Sequence, residues 1–191
     1  MSNVIIIAGS SASGKTFLLK KSLELGLNFS IIPKKTTRSP RFGESNIEFL
    51  FNCPKEDVIK CDCYYTFRNE YYGFNFSDVE TVLKQGKNAI IIIRPIEIIR
   101  KLKKRYPNVF SVLCLSNDIQ KAEEILRKAN ATEEEIHLRL NVSFESAIIR
   151  EYMDGIQKAV FDLILYNDYD EKFVESFNKF VKATINGEKN G

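Results

Sequence analysis

A chain of 191 residues, 44% of them apolar, can bury one substantial core and still carry small mobile inserts, so a single domain is expected. Its 28 Lys and Arg against 25 Asp and Glu leave a net charge of +3, too balanced for the whole molecule to bind nucleic acid or a membrane surface electrostatically. No run of about 18 apolar residues occurs, which excludes a helical membrane span on length.

The chain opens on a short apolar run, 4–8, with no basic stretch before it and no cleavage site after it, and this reads as a buried first strand. It flows into Gly9-Ser10-Ser11-Ala12-Ser13-Gly14-Lys15-Thr16, a match to G-x-x-x-x-G-K-[ST] set between that strand and a helix predicted over 15–25. Glycines let backbone wrap closely round a phosphate, consecutive amide N–H groups form an anion nest, and the helix N-terminus adds partial positive charge. Every residue of the motif is therefore a candidate ATP contact. Lys15 is placed to reach the β and γ phosphates as a catalytic group, and the Thr16 hydroxyl to ligate Mg²⁺ alongside water and phosphate oxygens.

From 34 to about 72 the pattern changes to aromatics and short alternating segments, a small antiparallel β insert rather than another parallel unit. Helices are predicted over 78–85 with Ser77 as N-cap, over 95–106, 118–128, 133 to about 155, and 171–184. Strands are predicted at 88–93, where consecutive aliphatics suit burial on both faces, at 110–115 and at 161–165. This alternation predicts an α/β fold, a parallel sheet core flanked by helices. The charged segment 127–135 between two helices suits a lid, and 186–191 reads as a disordered tail. Cys53, Cys61 and Cys63 fall close together, but structural zinc draws on paired clusters or nearby histidines, and the one histidine, His137, is far off in sequence. Reduced thiols in a cytoplasmic protein fit better.

Lys34-Lys35-Thr36-Thr37-Arg38-Ser39-Pro40-Arg41-Phe42-Gly43-Glu44 resembles the acceptor-site segment T-T-R-x-P-R-x-G-E of the guanylate kinase family. Further along, Tyr71-Tyr72-Gly73 is similar to that family's Y-Y-G, 84–87 to its helix end before the central strand, 132–140 to its lid exit, and 162–168 to its D-x-x-x-x-N-D strand end. The resemblance spans nearly the whole chain. It implies one domain over 1–185, with a core of 1–33, 84–126 and 146–185, a mixed β acceptor-binding insert over 34–83 and a lid over 127–145. It implies ATP-dependent phosphoryl transfer to a nucleoside monophosphate, GMP first, with Mg²⁺. Small-molecule nucleotides would be its partners, with no nucleic acid, no membrane and no structural zinc.

The resemblance also implies roles. Arg38 and Arg41 would grip the acceptor phosphate, and two guanidinium forks three residues apart suit that on physical grounds as well. Tyr72 would donate its hydroxyl to the same phosphate, packing among its many aromatic neighbours being the other reading of its ring. Arg139 matches the lid-exit arginine, and Arg127 stands beside Lys128, where the family has another; both would neutralise charge on the transferring phosphoryl. Asn167 would bond an adenine edge or else close a turn.

Guanine presents N1–H and N2–H₂ as adjacent donors that carboxylates read, and the family supplies one acid from the insert and one from the central strand end. Here those places hold Cys63 and, in Ile90-Ile91-Ile92-Ile93-Arg94, Ile92 and Arg94, with Asp62, Glu70 and Glu97 as acids within reach. Arg94 puts a cation at the carboxyl end of a strand, where α/β folds bind ligands. The family's insert tyrosine becomes Phe49 and its early serine Lys34. Lys34, Phe49 and Arg94 are thus acceptor-side candidates fitting an acceptor richer in phosphate. A GMP kinase leads. The alternatives are a kinase of the same superfamily acting on a phosphorylated sugar such as ribose 1,5-bisphosphate, and a non-catalytic binding module.

Overall fold

The computed structural model describes residues 2–24, 28–41, 44, 46–116, 118–140 and 142–186. The chain begins with β1 (Val4–Gly9), α1 (Lys15–Glu24) and β2 (Phe29–Ile31). It continues through β3 (Lys34–Thr36), β4 (Phe49–Leu50), α2 (Lys55–Ile59), β5 (Cys63–Phe67), β6 (Glu70–Phe74) and α3 (Phe76–Lys84). Then come β7 (Asn88–Ile92), α4 (Ile96–Arg105), β8 (Val109–Leu115), α5 (Ile119–Lys128) and α6 (Glu133–Leu140), and finally α7 (Val142–Gln157), β9 (Leu163–Tyr166) and α8 (Glu171–Asn186).

Five strands form a parallel sheet in the order β2-β7-β1-β8-β9. The uninterrupted apolar runs follow from cover on both faces. Ile5 and Ile7 of β1, with Ile90 and Ile92 of β7, pack with Leu18 and Leu19 of α1 and Phe173 and Phe177 of α8. Ile6, Ile91 and Ile93 face the other way, toward Val79, Ile99, Leu102 and Tyr152 on α3, α4 and α7. Fully burying each such aliphatic stabilises the fold by roughly 1.5–3 kcal/mol before entropy is counted.

The second sheet, β4-β3-β6-β5, is mixed: β3 pairs parallel with β4 and antiparallel with β6, and β5 antiparallel with β6. Its Tyr65, Tyr72 and Phe74 share one apolar cluster with Ile91 and Ile93, which fixes it to the core next to the end of β7.

Besides the parallel β3–β4 pair in a sheet whose residue pattern reads as antiparallel, the structure departs from the sequence expectation in five places. β2 and α2, of three and five residues, are too short to show periodicity and were not expected. The long helix over 133–155 is two helices, α6 and α7, with Asn141 outside the described residues. α3 starts before Ser77: the N–H of Asn75 donates to Asp78 Oδ2 and that of Phe76 to Asp62 Oδ2, both at 2.9 Å, so these carboxylates take its first donors. α8 runs on to Asn186, while 187–191, like Phe42 and Gly43, lie outside the described residues.

Candidate active site

The carboxyl ends of β1, β7, β8 and β9 emerge along one edge, and the loop Gly9–Lys15 lies across it. Gly9, paired with Cys114 of β8, has φ +150°, and a Cβ there would sit 2.1 Å from the Cys114 carbonyl oxygen. Gly14 adopts φ +86°. Only glycine serves at these two positions. The loop's carbonyls are held from behind: Tyr152 donates its hydroxyl to Gly9 O (3.4 Å), Ser13 Oγ to Ser10 O (3.0 Å), and Tyr169 its hydroxyl to Ala12 O (3.2 Å). The loop is therefore shaped ahead of any ligand. Lys15 Nζ donates to Ser10 O and to Ser13 Oγ (3.1 Å), which holds the ammonium over the loop, and Thr16 is exposed at the first turn of α1.

Asn167 is buried with both ends of its amide engaged, Nδ2 donating to Ser13 O (3.3 Å) and Oδ1 accepting from the Tyr169 N–H (2.9 Å). It braces the phosphate loop and closes a turn, the second of the two roles read for it from the sequence. Tyr152 and Tyr169 are loop supports that no sequence motif marks.

A cleft of ≈ 240 Å³ opens between α1, the 41–49 segment and the α5–α6 junction, with Thr16, Lys20, Arg41, Glu44, Glu48, Phe49, Glu135 and Arg139 on its walls. Arg38 and Arg41 come together through a third residue, whose role no sequence motif marks. Glu44 takes a fork from Arg38 (Nη1–Oε2 2.6 Å, Nη2–Oε1 3.1 Å) and the backbone N–H of Arg41 (2.9 Å). Burial pushes the Glu44 carboxyl up, yet the Arg38 hydrogen bond, the Arg41 N–H and both charges carry it below the ordinary carboxylate range. On the facing wall, Arg41 Nε lies 3.6 Å from Glu135 Oε1 of α6. Arg139, also on α6, is brought down to about 10 by burial and by the like charge of Arg41, against Glu44 and Glu135. Crowded guanidiniums held by carboxylates suit a phosphate dianion, whose oxygens can take the same donors.

Arg127 does not join them. It is half-exposed outside the cleft, with Nη2 on Glu123 Oε1 at 2.7 Å and a second fork on Glu133.

Deeper, Lys34 is only 2% exposed, donates to the Ile92 carbonyl, and lies over the Phe49 ring at 4.7 Å from its centroid. The Arg38 guanidinium lies over the same ring at 5.0 Å, so Phe49, lacking a hydroxyl, offers a π face to two cations. Tyr72 stacks on Tyr65 (5.3 Å) and meets Phe49 edge-on (6.0 Å). Arg94 leaves β7 toward the phosphate loop, with Nη2 3.1 Å from Ser11 Oγ. None of the three possible replacement acids lines the cleft. Asp62 serves the start of α3, Glu70 accepts from the Thr37 hydroxyl, and Glu97 is exposed in the first turn of α4. Cys63 points into the apolar core, where burial pushes its thiol up to about 11. The four cysteines are free thiols, and among the described residues no three His, Cys, Asp or Glu side chains are grouped to hold a metal.

Burial, with Arg94 and Arg38 adding to it and Glu48 opposing, lowers Lys34 from 10.5 to about 8. Between those values the unfolded chain binds a proton that the folded protein has released, so stability rises with pH across that window. From about pH 7 to about pH 10, wild type is expected to gain roughly 3 kcal/mol relative to Lys34→Met, read by urea unfolding. A pH-independent difference between the two would show that Lys34 titrates as an exposed lysine does.

The sequence model described as guanylate kinase matches residues 1–184. The guanylate kinase of Rickettsia prowazekii (strain Madrid E) is 32% identical over 188 residues, covering 94% of this chain and 90% of that protein. That of Prochlorococcus marinus (strain NATL2A) is 25% identical over 182 residues, covering 92% and 94%. Among solved structures, the guanylate kinase of Anaplasma phagocytophilum aligns with all of this chain and 88% of its own at a TM-score of 0.63, and at 16% identity it speaks for the fold alone. With the matched region running from the first strand through α8, the chain belongs to the guanylate kinase family.

Proposed function

We propose that this protein transfers the γ-phosphoryl group of ATP to GMP, yielding ADP and GDP. The observation that carries the reading is the meeting, in one cleft, of Thr16 at the end of an intact phosphate loop with Arg41 and Arg139, Arg38 being tied to Arg41 through Glu44. Family membership supplies the acceptor. In this reading 34–83 is the acceptor-binding insert, 127–145 the lid, and the remainder of 1–185 the core.

The loop and Lys15 would hold the β and γ phosphates of ATP. A Mg²⁺ ion fits the donor set: Thr16 lines the cleft, and among the described residues no three His, Cys, Asp or Glu side chains are grouped to cage a metal, which suits an ion that keeps water and nucleotide phosphates as its other ligands. When bound it supplies charge neutralisation at the phosphate oxygens. The acceptor phosphate would displace Glu44 and Glu135 from Arg38 and Arg41, and Tyr72 would close the same side. An acceptor oxygen then attacks the γ phosphorus in line, the bond to the β–γ bridging oxygen breaks, and ADP leaves. Lys15 and Arg139 neutralise charge on the equatorial oxygens during transfer. Arg127 would first have to leave Glu123 and Glu133 to take part.

Coupled ADP release with GMP, dGMP, AMP, UMP and ribose 1,5-bisphosphate tests the reading. GMP is expected to stimulate most, and release no faster with any acceptor than without would end it. The buried cation Lys34 against the Phe49 ring, with Cys63 and Ile92 set in the apolar core where the family carries acids, favours ribose 1,5-bisphosphate as the second reading; it replaces the first if that sugar outpaces GMP. Arg38→Ala is expected to raise the acceptor KM about 10- to 100-fold, as loss of charge-assisted hydrogen bonds of about 1.5–3 kcal/mol implies, with the ATP KM within about twofold. Equal changes in both constants would place Arg38 in the scaffold instead.

A further inference from the structure

Arg94 occupies a position that acceptor recognition does not explain. β7 runs beside β1 with Ile92 opposite Ile7, so residue 94 emerges against the phosphate loop. There Nη2 donates to the hydroxyl of Ser11, in the middle of the loop, while the guanidinium lies 4.1 Å from the centroid of the Phe67 ring on β5. One contact belongs to the donor side and the other to the acceptor side. Stacking on Phe67 and the bond to Ser11 fix the plane of the group, as a preorganised donor requires. Two further observations point to an anion. Nη1 is buried with no hydrogen-bond partner, an arrangement that is unfavourable until an acceptor arrives. No carboxylate pairs with Arg94 among the described residues, whereas Arg38, Arg41 and Arg127 all have one. Its charge contributes to lowering the Lys34 ammonium, so the positive potential reaches across to the acceptor side.

We propose that Arg94 is a further catalytic residue, donating hydrogen bonds to the equatorial oxygens of the γ-phosphoryl group while it passes between the two nucleotides. No proton is transferred. The role rests on the kinase reading above but not on the identity of the acceptor. A cation at a strand end beside the loop neutralises charge where it develops, in cis and without lid closure.

The test uses the intact protein as wild type, Arg94→Ala and Arg94→Lys. Affinities are measured by calorimetry for ADP with Mg²⁺, and for the same mixture with aluminium fluoride, a mimic of the phosphoryl group in transit. Wild type is expected to bind the fluoride complex at least about tenfold more tightly than Arg94→Ala, with ADP alone bound equally and Arg94→Lys between them. In turnover, kcat falls about 100-fold in Arg94→Ala while both nucleotide KM values stay within about threefold. Equal fluoride affinity in wild type and Arg94→Ala, or no fluoride-dependent tightening in wild type, overturns the proposal. So does a raised acceptor KM with kcat intact. Arg94-dependent fluoride binding in a protein that GMP fails to stimulate would sustain Arg94 and remove GMP as the acceptor.

Discussion

Lys15→Ala is expected to lower the rate of ADP formation at saturating nucleotide about 1,000-fold, with the melting temperature within a few degrees of wild type. The ammonium bonds the concave loop it serves, through Ser10 O and Ser13 Oγ, and the loop's shape is carried by Tyr152, Tyr169 and Asn167 from the other side. Removing Lys15 therefore takes away the charge that neutralises the β and γ phosphates without removing the supports. One preorganised donor is worth about 100- to 1,000-fold, and a full charge in the phosphate nest lies at the upper end. Stopped turnover with a preserved melting curve is the expected pair. A loss below about tenfold would mean that the loop binds nucleotide without catalysing transfer.

Gly9→Ala is expected to damage the fold itself. The added methyl would meet the Cys114 carbonyl oxygen at 2.1 Å and Ser13 Oγ at 2.8 Å. That carbonyl belongs to the backbone of the neighbouring strand, so neither β1 nor β8 can give without breaking their ladder, and φ +150° adds strain of its own. A loss of at least about 4 kcal/mol follows, a fall of roughly 10 °C in Tm for a chain of this size. Thermal unfolding followed by circular dichroism reads it, and a Tm within about 3 °C of wild type would mean that the loop is pliable rather than held.

The phosphate loop was legible because its chemistry is local: strand, glycines, lysine and helix follow one another within 13 residues from Val4 to Thr16. The aliphatic run of β7 was legible because a strand buried on both faces has no polar register to hide it. What the sequence concealed depends on contacts between distant positions. Asn167 and Tyr169 reach the loop across more than 150 residues, and nothing around them signals a brace. The spacing of Arg38 and Arg41 announced a phosphate grip, but that Glu44 and Glu135 take up those guanidiniums depends on the turn after Pro40 and on α6 facing it. Asp62 lies one residue from the expected acid, yet it precedes the start of β5, and its carboxylate serves the start of α3. Arg94 stood out by its type alone; its contacts with Ser11 and Phe67 required the fold.

One cleft is expected to carry a phosphoryl group from ATP to GMP. Incubating the protein with ATP labelled in the γ phosphate, Mg²⁺ and unlabelled GMP, then separating the products, tests it most directly. Label in GDP, in amounts equal to the ADP formed and absent from Lys15→Ala, is the predicted result. Label confined to ATP and inorganic phosphate, with GMP recovered unchanged, would contradict it.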